Sequence, residues 1–201
     1  MSDGLDAELA DHLAVIAGLR SQVAPVLGIG AAICARLDRG GVVYSFGNGG
    51  SAADAQHLAG ELIGRFRRER RPLAAVALAT DPSVLTCIGN DYSYADVFAR
   101  QVTALARPRD VVVAFTSSGR SPNVIAGLEA AQAAGALTVL FTGGAGHAQA
   151  GAGPDATAYA DHVLRVESEA TARVQEGHVL LLHLLSEYID RWAAGEEPPG
   201  R

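Results

Sequence analysis

There is no lysine anywhere in this chain: all 16 basic residues among its 201 are arginine, set against 22 acidic ones. That absence removes Schiff-base chemistry, attachment of pyridoxal phosphate and the lysine of a P-loop. Positive charge is also short overall, and a net charge of −6 with a pI near 5.4 supplies no basic field for nucleic acid or for an anionic membrane surface. Cysteine is scarce. Cys34 and Cys87 stand far apart inside apolar patterns, which predicts two buried thiols in a reducing compartment rather than a disulfide or a metal pair. No uninterrupted apolar run approaches the ~18 residues of a membrane-spanning helix. Residues 1–8 are acidic and lack the basic segment and apolar core of a signal peptide. The expected location is the cytoplasm.

What the chain does have is apolar residues in regular patterns. A hydrophobic content of 49% with no long polar tract predicts one globular domain over residues 1–201 with a substantial core, opened by a helical segment over 1–39. Leu5, Leu9, Leu13, Ile16 and Leu19 recur at helical spacing over 5–20, and Val26, Leu27, Ile33 and Leu37 do so over 24–38. With little sheet ahead of them to cover, the first stripe faces either its own domain or another subunit. From residue 41, strand-like runs at 41–46, 74–79, 110–116, 137–142 and 161–166 alternate with helical patterns at 51–65, 82–106 (broken around Asn90-Asp91), 122–134 and 170–193. The prediction is an α/β fold: a five-stranded parallel sheet flanked by helices on both faces, with N-terminal helices. Ligands then bind outside the carboxyl ends of the strands, where the strand order reverses.

Two loops at those ends stand out. Residues 46–51, Phe-Gly-Asn-Gly-Gly-Ser, end a strand, turn sharply and open a helix, with Ser51 expected as the N-cap and Asp54 three residues on. N–H groups at such a start suit an anionic or polyhydroxylated ligand, although a tight strand-to-helix connection needs the same glycines. His57 and Glu61, four residues apart, share one helix face and can hold a cation or act together on a substrate. After the third strand, Thr116, Ser117, Ser118 and Ser121 offer four hydroxyls, and Pro122 suits a first helical turn. This loop is the expected phosphate cradle, helped by Arg65 one turn beyond Glu61. The run 67–71 (Arg-Arg-Glu-Arg-Arg) is expected to be a solvated face. The glycine-rich residues 143–154 are a loop with no assigned chemistry, and 195–201 a polar tail. In the last helix Gln175 and His183 are eight residues apart, about 12 Å along an ideal helix, so spacing alone assigns His178 and His183 to packing.

Taken together, Gly47-Asn-Gly-Gly-Ser51, His57-Leu-Ala-Gly-Glu61, Asn90-Asp91, Thr116-Ser-Ser-Gly-Arg-Ser121 and Arg173-Val-Gln-Glu-Gly-His178 with His183 resemble the SIS-domain phosphoheptose isomerases over nearly the whole chain. The resemblance implies interconversion of sedoheptulose 7-phosphate and D-glycero-D-manno-heptose 7-phosphate, a phosphorylated seven-carbon sugar. It implies Zn²⁺ held by His57, Glu61, Gln175 and His183, with Glu61 and His183 as the proton-transfer pair. Asn48, Gly49, Gly50, Ser51, Glu61, Asn90, Asp91, Thr116, Ser117, Ser118, Ser121 and Gln175 are the implied substrate contacts, and a homotetramer with sites at subunit interfaces is the implied assembly. Neither nucleic acid nor membrane is an expected partner. Ala172 departs from the family, which tends to carry an aspartate there. Residues 171–176 also resemble a sister branch that binds the bacterial replication initiator without isomerase activity, so a noncatalytic phosphosugar-sensing or initiator-binding regulator is the second reading. That branch lacks equivalents of Glu61 and His183.

Overall fold

The computed structural model describes residues 2–144 and 155–196. Helices α1 (Ser2–Gly18) and α2 (Val23–Leu37), joined by a 3₁₀ turn at Leu19–Gln22, precede a five-stranded sheet. Its strands are β1 (Val43–Gly47), β2 (Ala75–Ala77), β3 (Val111–Thr116), β4 (Leu137–Gly143) and β5 (His162–Val166). The connecting helices are α3 (Gly50–Ile63), α4 (Pro82–Asp91), α5 (Ala99–Leu105) and α6 (Pro122–Ala133), and α7 (Thr171–Ala193) closes the fold. The break expected near Asn90-Asp91 is real: α4 ends at Asp91, and a 3₁₀ turn at Tyr94–Asp96 separates it from α5. Of the expected loop over 143–154, residues 145–154 lie outside the described residues, as do 197–201 of the expected tail.

All strand pairs are parallel, in the order β2-β1-β3-β4-β5. The β3 and β4 strands are buried along their whole length, because helices cover both faces. Val111, Val113 and Phe115 point into a core shared with α2, α3 and α7, while Val112 and Ala114 point into a second core with α4, α5 and α6. The order reverses beside β1, whose neighbours are β2 and β3. The register sets Gly47 opposite Phe115, so the loops leaving β1 and β3 emerge side by side at the switch point.

The N-terminal stripe divides. Leu19 is buried and Ile16 packs against the core, but Leu5, Leu9 and Leu13 are 71%, 58% and 60% exposed. By length and composition, the helical stretch Gly4–Leu37 is apolar enough to cross a membrane. It is broken by the polar 3₁₀ turn with Arg20, Ser21 and Gln22, and Val26, Ile29, Ile33 and Leu37 of α2 are buried in the core. Both cysteines are free. Cys34 is buried, and burial pushes its pKa up to about 12. Cys87 is exposed, its Sγ 3.6 Å from Asp91 Oδ2, which corrects the expectation of a second buried thiol. The cause is the outer position of α4, which buries Ile88 alone.

Candidate active site

The helix after β1 is capped two residues earlier than the sequence suggests. Gly49, at φ 55°, occupies the N-cap position of α3 and makes no side-chain cap. Positive φ is cheap only for glycine. The carbonyl of Asn48 accepts from Ser51 N and that of Gly49 from Ala52 N, which leaves Ser51 buried inside the first helical turn rather than capping it. At Gly47 an added Cβ would lie 2.7 Å from the Ser51 carbonyl and 2.8 Å from that of Phe115; at Gly50 it would run into the Gln175 amide. Gly47 is required by this close approach to backbone, whereas at Gly50 the Gln175 amide, the end of a flexible side chain, could swing aside.

This turn, the β3 loop and the start of α7 enclose a cavity of about 260 Å³ lined by Asn48, Gly49, Gly50, Ser51, Phe115, Thr116, Ser117, Ser121, Thr171 and Gln175. Every lining residue is uncharged. The starts of α3, α6 and α7 converge on it, so three helix dipoles favour an anion there with no cationic side chain. The frame is preorganised. Thr116 Oγ1 accepts from Gly119 N at 3.2 Å, and Gly119 itself sits at φ 70°. The side-chain amides of Asn48 and Asn123 exchange hydrogen bonds of 2.9 and 2.8 Å, and the Tyr94 hydroxyl donates to Asn48 Oδ1 at 3.1 Å. Asn48, Tyr94, Ser121 and Asn123 also border an adjoining cavity of about 230 Å³.

Further along α3, His57 Nε2 is 3.0 Å from Glu61 Oε1 and 3.3 Å from His183 Nε2 of α7. One donor atom from each residue falls within 4.8 Å of the others, which makes the three a candidate metal-ion site. The donor set fits a divalent cation: two imidazoles and a carboxylate, all partly buried. Burial lowers the pKa of His183, as does neighbouring His57, against the opposing pull of Glu61. The neutral imidazole that a metal needs is therefore favoured. His183 is thus a member of a polar cluster and not a packing residue, with Phe66 stacked on it at 5.5 Å between centroids. His178 does pack, wedged edge-on to Phe115 and Phe141, and burial takes its pKa down to about 4.

The remaining expected site residues divide. Thr116, Ser117 and Ser121 line the cavity, whereas Ser118 is absent from its lining and uses its Oγ to accept from Arg120 N at 3.2 Å. Gln175 stands against Gly50, at the opposite end of α3 from Glu61. Asn90 and Asp91 are exposed at the end of α4 and bonded to each other at 2.7 Å. Arg65 lies beyond the end of α3, because the helix stops at Ile63, and faces Glu69 at 3.9 Å. The solvated face expected at 67–71 holds for Arg67, Glu69 and Arg71, which are exposed, but not for Arg70, whose side chain is 1% exposed and pairs with fully buried Asp190. Asn123, Tyr94 and Thr171 were missed as lining residues; Asn123 directly follows Pro122, where its place beside the hydroxyl loop was the available signal.

A doubly wound parallel sheet in this order takes ligands at its switch point, and here a glycine turn and a hydroxyl loop meet there. Residues 10–143 match the model of the SIS domain, and the fold and site together make this a SIS-domain protein. The chain is 45% identical over 174 residues to a probable phosphoheptose isomerase of Thermoplasma acidophilum, covering 87% of this chain and 92% of the relative. To the phosphoheptose isomerase of Aquifex aeolicus it is 47% identical over 178 residues, 89% of this chain and 88% of the relative. The solved phosphoheptose isomerase of Neisseria gonorrhoeae superposes with a TM-score of 0.83 at 38% identity, covering 94% of this chain and 98% of the other. The chain belongs to the phosphoheptose isomerase family.

Proposed function

We propose that the protein, acting as one domain over residues 1–201, interconverts sedoheptulose 7-phosphate and D-glycero-D-manno-heptose 7-phosphate. The observation that carries this reading is the meeting of Glu61, His57 and His183 from distant parts of the chain in a member of the phosphoheptose isomerase family. In the ketose-to-aldose direction the Glu61 carboxylate takes a proton from C1, and the C2 carbonyl electrons move to O2, giving an enediolate. Neutral His183 takes the O1 proton and passes one to O2. As C1=O1 forms, Glu61 returns its proton to C2, so atoms and charge balance.

His57 and Glu61 would hold Zn²⁺, with His183 as a third ligand only while its ring nitrogen is not taking a proton, and the ion would supply Lewis-acid stabilisation of negative charge on substrate oxygens; Gln175, from its place at Gly50, joins them only if another copy supplies it. The phosphate takes the neutral cradle of Thr116, Ser117 and Ser121, with the reacting end toward a Glu61 carboxylate. Ser51 and Glu61 are ten residues apart on α3, about 15 Å, which supports a site completed by a second subunit. The exposed Leu5, Leu9 and Leu13 stripe supports the same assembly, a homotetramer. Its cytoplasmic location follows from a soluble phosphosugar substrate.

The test is an assay of purified protein with sedoheptulose 7-phosphate, with zinc and after chelation, beside light scattering for mass. No aldose product in the presence of zinc would overturn the isomerase reading. A monomer in solution would overturn the shared site. The noncatalytic alternative loses ground because Glu61 and His183 are both present and adjacent.

A further inference from the structure

Residues 64–72, between α3 and β2, lie across α7 as a strap. Backbone N–H groups of Arg67 and Arg68 donate to Asp190 Oδ2 at 3.1 and 2.8 Å, and Arg70 Nε donates to Asp190 Oδ1 at 3.0 Å. The same guanidinium closes the end of α3: Nη1 donates to the Leu62 carbonyl at 2.9 Å, and Nη2 to the Glu61 carbonyl at 2.6 Å. These are carbonyls of the last helical turn, which have no partner inside the helix. With side chains 1% and 0% exposed, the Arg70–Asp190 pair is a buried ion pair. Such pairs contribute little net stability relative to an apolar replacement, because desolvation offsets the attraction. What this one does is join two particular backbones.

Those backbones bear the polar cluster. Arg70 grips Glu61 through its own carbonyl, and Asp190 follows His183 by seven residues, two turns along the same face of α7. Between these contacts Phe66, in the same strap, stacks on His183. We propose that Arg70 and Asp190 are positioning residues that hold α3 and α7 at the spacing the His57–Glu61–His183 cluster needs to bind a divalent cation tightly. This inference rests on the cation site proposed above. Neither residue touches a donor side chain, so each acts through the helix it holds.

The experiment compares wild-type protein with Arg70→Met, Asp190→Asn and, as a control in the same strap, Arg68→Ala. The Arg68 guanidinium hydrogen-bonds to Glu187 and Glu196, both at 2.9 Å; its Nη1 lies 3.5 Å from Asp190 Oδ2 as an ion pair, but unlike Arg70 it makes no hydrogen bond to the backbone of α3. Zinc affinity is read by competition with a chromophoric chelator, and inorganic phosphate binding by calorimetry as a report on the far end of α3. The two clamp variants should bind zinc ~10–100-fold more weakly, the range found when groups that orient metal ligands are removed. Their phosphate affinity should stay at the wild-type value, and Arg68→Ala should match wild type in both. Folded clamp variants that hold zinc as tightly as wild type overturn the proposal. So does a parallel loss of zinc and phosphate binding, which would mean general loosening. If Arg70→Met does not fold, Asp190→Asn decides alone, since its amide oxygen still accepts from the Arg67 and Arg68 N–H groups. No zinc binding by wild type would overturn the cation site itself, and the clamp with it.

Discussion

The two ends of α3 are built by different means. At its start the cavity is made of backbone and short neutral side chains, contributed by loops that leave adjacent strands at matched register. At its far end the cluster is made of long ionisable side chains from two helices, with His57 and His183 separated by 126 residues in sequence. The first end is set by sheet geometry and glycine, so it tolerates little backbone change. The second is set by how two helices pack, so side-chain chemistry and helix spacing govern it. One end is suited to gripping an unreactive anion, and the other to moving protons.

The sharpest way to separate the two ends is Glu61→Gln, which keeps shape and removes the charge that accepts the proton. We expect turnover to fall ~10²–10⁴-fold while inorganic phosphate still binds. Steady-state rates within threefold of wild type would remove Glu61 from the chemistry. At the other end, Gly47→Ala sets a methyl group against two backbone carbonyls that cannot retreat, and should cost about 3 kcal/mol of folding stability. Denaturant midpoints unchanged from wild type would show that the β1 turn is not held as tightly as its contacts require.

Ser117→Ala combined with Ser121→Ala removes two neutral donors from the cavity, each worth ~0.5–1.5 kcal/mol. KM should rise several-fold to a hundredfold with little change in kcat. The reverse pattern, with kcat collapsing and KM steady, would move the reacting carbons into the cavity and the phosphate out of it.

The smallest effect concerns Asp54, which lies between the two ends. It is buried with Oδ2 unpartnered, and burial raises its pKa to about 6 against the opposing pull of His57. Because the folded state holds this proton more tightly than the unfolded chain, ionising it costs stability. That loss develops as pH climbs from about 4 to 6 and is complete above. In metal-free protein, Asp54→Asn should therefore gain on the order of 1–2 kcal/mol at pH 7.5, with no gain at pH 4. A thermal melting difference that is the same at both pH values would refute it.

Much of this could be read in one dimension. Fully buried parallel strands are continuous apolar runs, and helix starts after strands are marked by glycine, hydroxyl or proline, so every strand and α-helix among the described residues was recognised to within a few residues. The hydroxyl loop at Thr116 to Ser121 and the turn at Gly47 to Gly50 were legible for the same reason, since each is a local conformation dictated by its own residues. Ser51 was misjudged because a positive φ at Gly49, which no neighbouring residue announces, starts the helix earlier. His57 with Glu61 was visible as a helical pair.

What the chain determined by itself was therefore local: strand and helix order, the switch point, the absence of any lysine for phosphate binding, and the residue types available for proton transfer. Tertiary structure decided that His183 leaves the packing role its spacing suggests and meets His57, which in the sequence only the family resemblance implied, and that Arg70 is buried on Asp190 while its neighbours reach solvent. It also decided that Gln175 stands at Gly50. Periodicity reports which face of a helix a residue occupies, but not which other helix that face meets, because that depends on the crossing of α3 and α7 and on the strap between them. A charged run such as 67–71 is likewise silent about a partner more than a hundred residues away, and only the folded chain brings Asp190 to it.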